Sequence, residues 1–123
     1  FPPEFFTPHA WRGKPKDSKQ GSDGIIELDQ DEELMYASTM IACEEMYQKL
    51  LDKGIAPEMA RMVLPQNMYT EWYWSGSLYA FARVCNLRCA KDTQEETREV
   101  ANKISDICAE KFPVSWRYLI DKK

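Results

Sequence analysis

The chain has 123 residues, 44% of them hydrophobic and 12% aromatic, which suits a single soluble domain with a modest core. A net charge of −4 speaks against a nucleic-acid-binding module, which needs a basic field to displace counterions from phosphates, and no apolar run approaches the ~20 residues of a membrane span. Four cysteines without a C-x-x-C pair, beside a single histidine, offer no zinc ligand set, so free thiols and a cytoplasmic protein are expected.

Taken in order, residues 1–24 hold Pro2, Pro3, Pro8 and Pro15 and predict loop. The stretch Trp11 to Ser22 mixes four cations with one acid, a composition that serves either solvent or an anionic ligand. His9, inside this proline-rich segment, reads as a surface residue. Residues 24–28 predict a short strand, and Asp29 with Glu32 has the spacing of a capping box that opens a helix over 31–53. Along that helix Leu34, Ala37, Ile41, Tyr47, Leu50 and Leu51 recur at helical spacing and predict a core stripe, with Gly54 as its left-handed stop.

Pro57 and Pro65 bracket a second helix with Arg61 in its middle. Residues 68–74 are aromatic and β-branched and predict a strand, in which alternation should bury at least one of Trp72, Tyr73 and Trp74. After Gly76 a helix with Leu78, Phe81, Ala82 and Cys85 inward delivers Arg83 and Arg88, and places Tyr79 on the Arg83 face. Asp92 and Glu95 repeat the capping-box spacing ahead of a helix over 93–112, whose expected core positions are Val100, Ile104, Ile107 and Cys108. A last helix is expected over 114–120, with Trp116, Leu119 and Ile120 packing back.

Arg61, Arg83 and Arg88 are the chemical signal. A guanidinium on apolar scaffolding is costly unless something anionic meets it, and its planar fork suits phosphates and the flat edges of bases. Cys85 and Cys89 have no histidine near in sequence to activate them and read as packing residues. Glu44, Glu45, Glu95, Glu96 and Glu99 fall on the polar faces of long helices and read as solvated.

From Ala60 the chain runs A-R-M-V-L-P, then Y-T-E-W-Y-W, then L-R and Q-E-E-T-R-E. These stretches, with P-E-F-F-T-P-H-A-W-R and K-Q-G-S before them, resemble the C-terminal half of the flavin-dependent thymidylate synthases. The family signature R-H-R-x-x-S-x-N-E-x-S-x-R-Y is not among these residues, and Phe1 falls about where the family's sequence continues after it.

The resemblance implies an α/β (α+β), helix-dominated fold and a homotetramer with shared active sites. It implies reductive methylation of deoxyuridine monophosphate (dUMP) to the thymidine nucleotide, with methylenetetrahydrofolate giving the carbon, NADPH the hydride and FAD carrying it. It places Arg61 and Arg88 on dUMP, Arg88 as the catalytic one, and Ser77, Tyr79 and Arg83 at flavin-contact positions where many members carry N-A-R and an asparagine four residues beyond its arginine. A family histidine after L-R stands replaced by Asp92. The rival reading is a non-enzymatic helical module that binds a partner chain, and an R-H-R-x-x-S stretch upstream of Phe1 would decide for the enzyme.

Overall fold

The computed structural model describes residues 2–19 and 21–121, so Phe1 and Gln20 of the K-Q-G-S stretch lie outside the described residues. Two strands and five helices follow in order: β1 (Trp11–Gly13), β2 (Asp23–Ile26), α1 (Gln30–Asp52), α2 (Pro57–Ala60), α3 (Leu78–Arg88), α4 (Glu95–Lys111) and α5 (Pro113–Leu119). The helix-dominated α+β class is as expected. The contacts divide the chain into two compact units, one of Phe1–Trp11 with Ile26–Trp72 and one of Arg12–Ile25 with Tyr73–Lys123.

The first unit is built on α1. Asp29 accepts from the Glu32 amide at 2.8 Å and Glu32 accepts from the Asp29 amide at 3.3 Å, closing the anticipated capping box. At the other end Gly54 has φ +82°, the Ile55 amide reaches the Leu50 carbonyl and the Gly54 amide reaches Leu51, the paired bonds of a Schellman stop. Pro57 opens α2, but the helix converts to a 3-10 turn at Arg61–Val63, so Arg61 begins that turn and is not mid-helix as expected.

Tyr36, Met40, Cys43, Tyr47 and Leu50 form the half-buried side of α1. Tyr36 donates to the Phe6 carbonyl, Asn67 donates to both, and Trp11 meets the Tyr36 ring edge-on at 5.1 Å. This corrects the predicted core stripe: no residue of α1 is fully buried, and Leu34 and Ile41 are exposed. Apolar residues lie on more than one side of the helix, so spacing alone did not choose which side the unit covers.

The predicted strand over 68–74 is also corrected. Phe5 and Met68 form one antiparallel bridge, flanked by bonds from Phe6 to Asn67 and from Tyr69 to Glu4, and the chain then runs on extended without strand pairing. Tyr69, Trp72, Tyr73 and Trp74 are all exposed, so none of the three consecutive aromatics is core. A strand exists only where a second chain segment accepts its ladder, and residues 4–6 supply one rung.

In the second unit α3, α4 and α5 pack around Ala82, Cys85 and Trp116, with Leu78, Phe81, Ile104, Cys108, Leu119 and Ile120 against them, largely as predicted for α3 and α5. Trp116 donates its indole N–H to Ser105 at 3.2 Å, and Asn86 ties the Leu119 carbonyl and the Asp121 amide to α3. On α4 the inward residues are Ala101, Ile104 and Cys108, while Val100 and Ile107, expected in the core, are exposed. The two stripes share Ile104 and Cys108, and Ala101 stands where Val100 was expected.

Residues 1–24, predicted as loop, also hold β1, which pairs with β2 in a two-stranded sheet. The predicted strand at 24–28 sits slightly earlier, at Asp23–Ile26. No described helix is long and apolar enough to cross a membrane.

Candidate functional site

Arg61 lies in the first unit and Ser77, Tyr79, Arg83 and Arg88 lie in the second. All three singled-out arginines are exposed, against the expectation of half-buried guanidiniums. Among the described residues no carboxylate lies within ion-pair distance of any of them. Their charge is therefore available to a ligand and is not consumed by structural pairing.

Arg61 borders a cleft of ≈ 640 Å³ with Tyr47, Leu64, Tyr69 and the carboxylates of Glu4, Glu58 and Glu71 also on its walls. Here one guanidinium faces three acids. The cleft gains no net positive field from its lining, so a phosphate held by Arg61 depends on the fork itself.

Arg88 is the last residue of α3, and a cleft of ≈ 720 Å³ gathers Gly21, Leu87, Arg88, Asp92, Thr93 and Thr97 beside it. The turn between α3 and α4 is set locally: the Thr93 amide bonds the Ala90 carbonyl and the Thr93 hydroxyl bonds the Leu87 carbonyl. Leu87 is 63% exposed, so it borders the cleft and does not pack behind Arg88 as predicted. Asp92 lies in the turn and does not cap α4. That helix starts from Gln94 without a side-chain cap, and Glu95, which a capping box would turn back on Asp92, pairs instead with Arg12 at 2.6 Å.

Gly21 is a residue that sequence reasoning quoted only within a motif. It has φ +89°, and a Cβ on it would run into the Asp92 carbonyl. Glycine alone therefore lets the backbone at Gly21 lie against the α3–α4 turn that carries the Arg88 cleft. Arg12 is the other residue missed. Its guanidinium bonds Ser22 at 2.8 Å and both Glu95 and Glu96, which were expected to be merely solvated. The signal for it, one arginine among lysines opposite an acidic helix start, is not readable without knowing that β1 meets α4.

On α3 Tyr79 and Arg83 share an exposed face one turn apart, and Tyr79 is 62% exposed. Arg88 projects roughly 140° around the helix from Arg83. Ser77 is the N-cap: its hydroxyl accepts from the Ala80 amide at 3.1 Å, leaving its own O–H free to donate. Among these side chains are an open ring face, an unpaired guanidinium and a hydroxyl.

Cys85 fits no nucleophile. Cys85 is 2% exposed, donates to the Ala101 carbonyl and is pushed up to about 12, first by burial and then by the neighbouring Cys89 thiol. A neutral buried thiol does not attack.

The family described as Thymidylate synthase complementing protein matches residues 3–114. The chain is 40% identical to the flavin-dependent thymidylate synthase of Thermus thermophilus over 113 residues, covering 92% of this chain and 42% of that protein. It is 30% identical to the flavin-dependent thymidylate synthase of Dictyostelium discoideum over 123 residues, covering 98% and 41%. Against the probable flavin-dependent thymidylate synthase of Paramecium bursaria Chlorella virus 1 the identity is 36% over 112 residues, covering 86% and 50%. The chain thus spans half or less of the length of these relatives.

Proposed function

We propose that this chain, which belongs to the flavin-dependent thymidylate synthase family, forms part of an enzyme that reductively methylates dUMP to dTMP. The match over residues 3–114 carries the reading. In it methylenetetrahydrofolate is the carbon donor and NADPH the reductant, and the working assembly is a homotetramer in the cytoplasm. FAD, when bound, supplies the hydride-carrying chemistry.

The chain's own residues take the following parts. Arg61 holds the nucleotide phosphate through its planar fork. Arg88 lies along the N3 and carbonyl edge of uracil, where its positive charge stabilises the negative charge that builds on the base as carbon 5 becomes nucleophilic. Tyr79 stacks on a ring of the dinucleotide, Arg83 meets its diphosphate and the Ser77 hydroxyl donates to it. What supports these parts is the exposure of all three arginines, none with a carboxylate in pairing distance among the described residues.

The test uses the complete protein with its upstream sequence. Incubated with dUMP, methylenetetrahydrofolate, NADPH and FAD, it forms dTMP measurable by chromatography, and omission of FAD or NADPH abolishes product. A folded complete protein that binds neither FAD nor dUMP and forms no dTMP overturns the reading in favour of a non-enzymatic helical module.

A further inference from the structure

The Arg88 cleft is lined by two stretches that are far apart in sequence. Gly21 comes from the connection between β1 and β2, whereas Arg88, Thr93, Gln94 and Thr97 come from the end of α3, the turn after it and the start of α4. The α3 part is held by the core, where Ala82 and Cys85 are buried beside Trp116. Gly21 and the start of α4 need a tie of their own.

Arg12 supplies it. From β1 its Nε donates to the Ser22 hydroxyl at 2.8 Å, one residue from Gly21. Its two terminal nitrogens reach Glu95 at 2.6 Å and Glu96, the residues that stand between Gln94 and Thr97. One side chain thus holds the neighbour of Gly21 and the neighbours of Gln94 and Thr97 at once. Its side chain is only 17% exposed, so water screens these bonds less than it screens an ordinary surface pair, which alone is worth little.

The arrangement needs a fork. Ser22, Glu95 and Glu96 take three different nitrogens of one planar group, and an ammonium, with all its donors on one nitrogen, cannot span them. Of the four cations between Trp11 and Ser22 the arginine is the one that stands here, while Lys14, Lys16 and Lys19 follow it. Two acids in a first helical turn already suit the helix dipole without a partner. The effect of Arg12 therefore falls on where α4 starts relative to Gly21, and not on whether α4 forms. Gly21 has no slack, since its backbone lies so close to the Asp92 carbonyl that a Cβ would not fit.

We propose that Arg12 is a positioning residue for the nucleotide site: by clamping Ser22 to Glu95 and Glu96 it fixes Gly21 against the start of α4 and sets the width of the cleft that Arg88 lines. Arg12 is not itself on that lining and acts through its neighbours. The inference rests on the assignment of Arg88 to dUMP.

The experiment uses the complete protein loaded with FAD and reads dUMP affinity by calorimetry, KM and kcat by dTMP formation, and melting temperature. Arg12→Ala raises the dUMP dissociation constant and KM by about tenfold, the scale of loss that a small misplacement brings, with kcat within about twofold of wild type. Arg12→Lys keeps a charge beside the two acids and recovers most of the melting temperature, yet its KM stays raised because it cannot also hold Ser22. Ser22→Ala leaves both ion pairs in place and raises KM by about threefold at a nearly unchanged melting temperature. Ile104→Val, a core change in α4, lowers the melting temperature and leaves KM alone. An Arg12→Ala protein with wild-type KM overturns the proposal, as does an Arg12→Lys protein whose KM recovers in step with its melting temperature, or an Ile104→Val protein whose KM rises as much. Should Arg12→Ala fail to fold, Arg12→Lys and Ser22→Ala decide the matter by the same criteria. A wild-type protein that neither binds dUMP nor forms dTMP overturns the assigned reaction and this inference with it, whereas wild-type methylation beside Arg12 variants of normal KM sinks the positioning role alone.

Discussion

Arg88 is the residue on which function is most exposed to test. It is solvent-accessible, without an ion-pair partner among the described residues, and sits at the end of α3 where a basic residue already suits the helix dipole. Removing it therefore costs the fold little. Arg88→Ala in the complete enzyme is expected to lower turnover by on the order of 3 kcal/mol, the loss typical of one preorganised charge-stabilising donor, with the melting temperature nearly unchanged. Arg61→Ala should instead raise the dUMP dissociation constant. Turnover, nucleotide affinity and melting temperature measured together decide the matter, and an Arg88→Ala protein that methylates normally shows that the guanidinium is not at the base. Cys85 carries the second residue-scale expectation. Its folded value is raised above that of a free thiol, so its contribution to stability is complete below pH ~9 and is lost as pH rises toward about 12. Cys85→Ala or Cys85→Ser should flatten that alkaline decline in urea midpoints measured between pH 8 and 11. The arginine motifs were legible because they are contiguous in sequence. Their exposure was not, since burial is decided by what packs over a residue.

At the scale of elements, whatever is set by neighbours in sequence could be read and whatever is set across the chain could not. The Asp29–Glu32 box, the Gly54 stop and the Pro57 start each depend on residues within a turn or two, and each stands as predicted. Asp92 fails as a cap because Glu95 is claimed by Arg12, 83 residues away in sequence, and the 68–74 strand fails because only residues 4–6 reach it. Two contacts of the second unit follow from this non-local wiring and can be broken singly. Gly21→Ala puts a Cβ into the Asp92 carbonyl at a positive φ and should destabilise by about 1–3 kcal/mol, with loss of dUMP affinity as the turn beside Arg88 shifts. An unchanged melting temperature would mean that Gly21 does not lie on that turn. Burial alone would raise the Glu96 carboxyl, but the Arg12 hydrogen bond, the helix-start amide and the Arg12 charge together hold it below the usual glutamate value. Its stabilisation is therefore present above pH ~4.5 and lost as pH falls through the lowered value. Arg12→Ala should cost about 1 kcal/mol at neutral pH, discounted for the partly exposed acids, and the difference from wild type should shrink below pH 4.

For the whole molecule the decisive quantity is uncovered apolar surface. Among the described residues the fully buried apolar side chains are Ala60 in the first unit and Ala82, Cys85, Ala101 and Trp116 in the second, three of the five alanines, while Trp72, Tyr73, Trp74, Met35, Leu34 and Ile41 are exposed. Covering an exposed aromatic or aliphatic side chain of this size is worth about 1.5–3 kcal/mol before association and ordering costs. Residues 1–123 expressed alone should therefore associate heterogeneously at micromolar concentration and bind a hydrophobic dye strongly. The complete protein, with the length its relatives have, should scatter light as one defined oligomer of four chains and bind the dye weakly. In hydrogen exchange its amides at residues 70–74, which have no ladder partner among the described residues, should be protected. A complete protein that runs as a clean monomer with those amides fast-exchanging would show that the aromatic stretch is solvent-facing by nature, and would remove both the tetramer and the shared active site from the proposed reading.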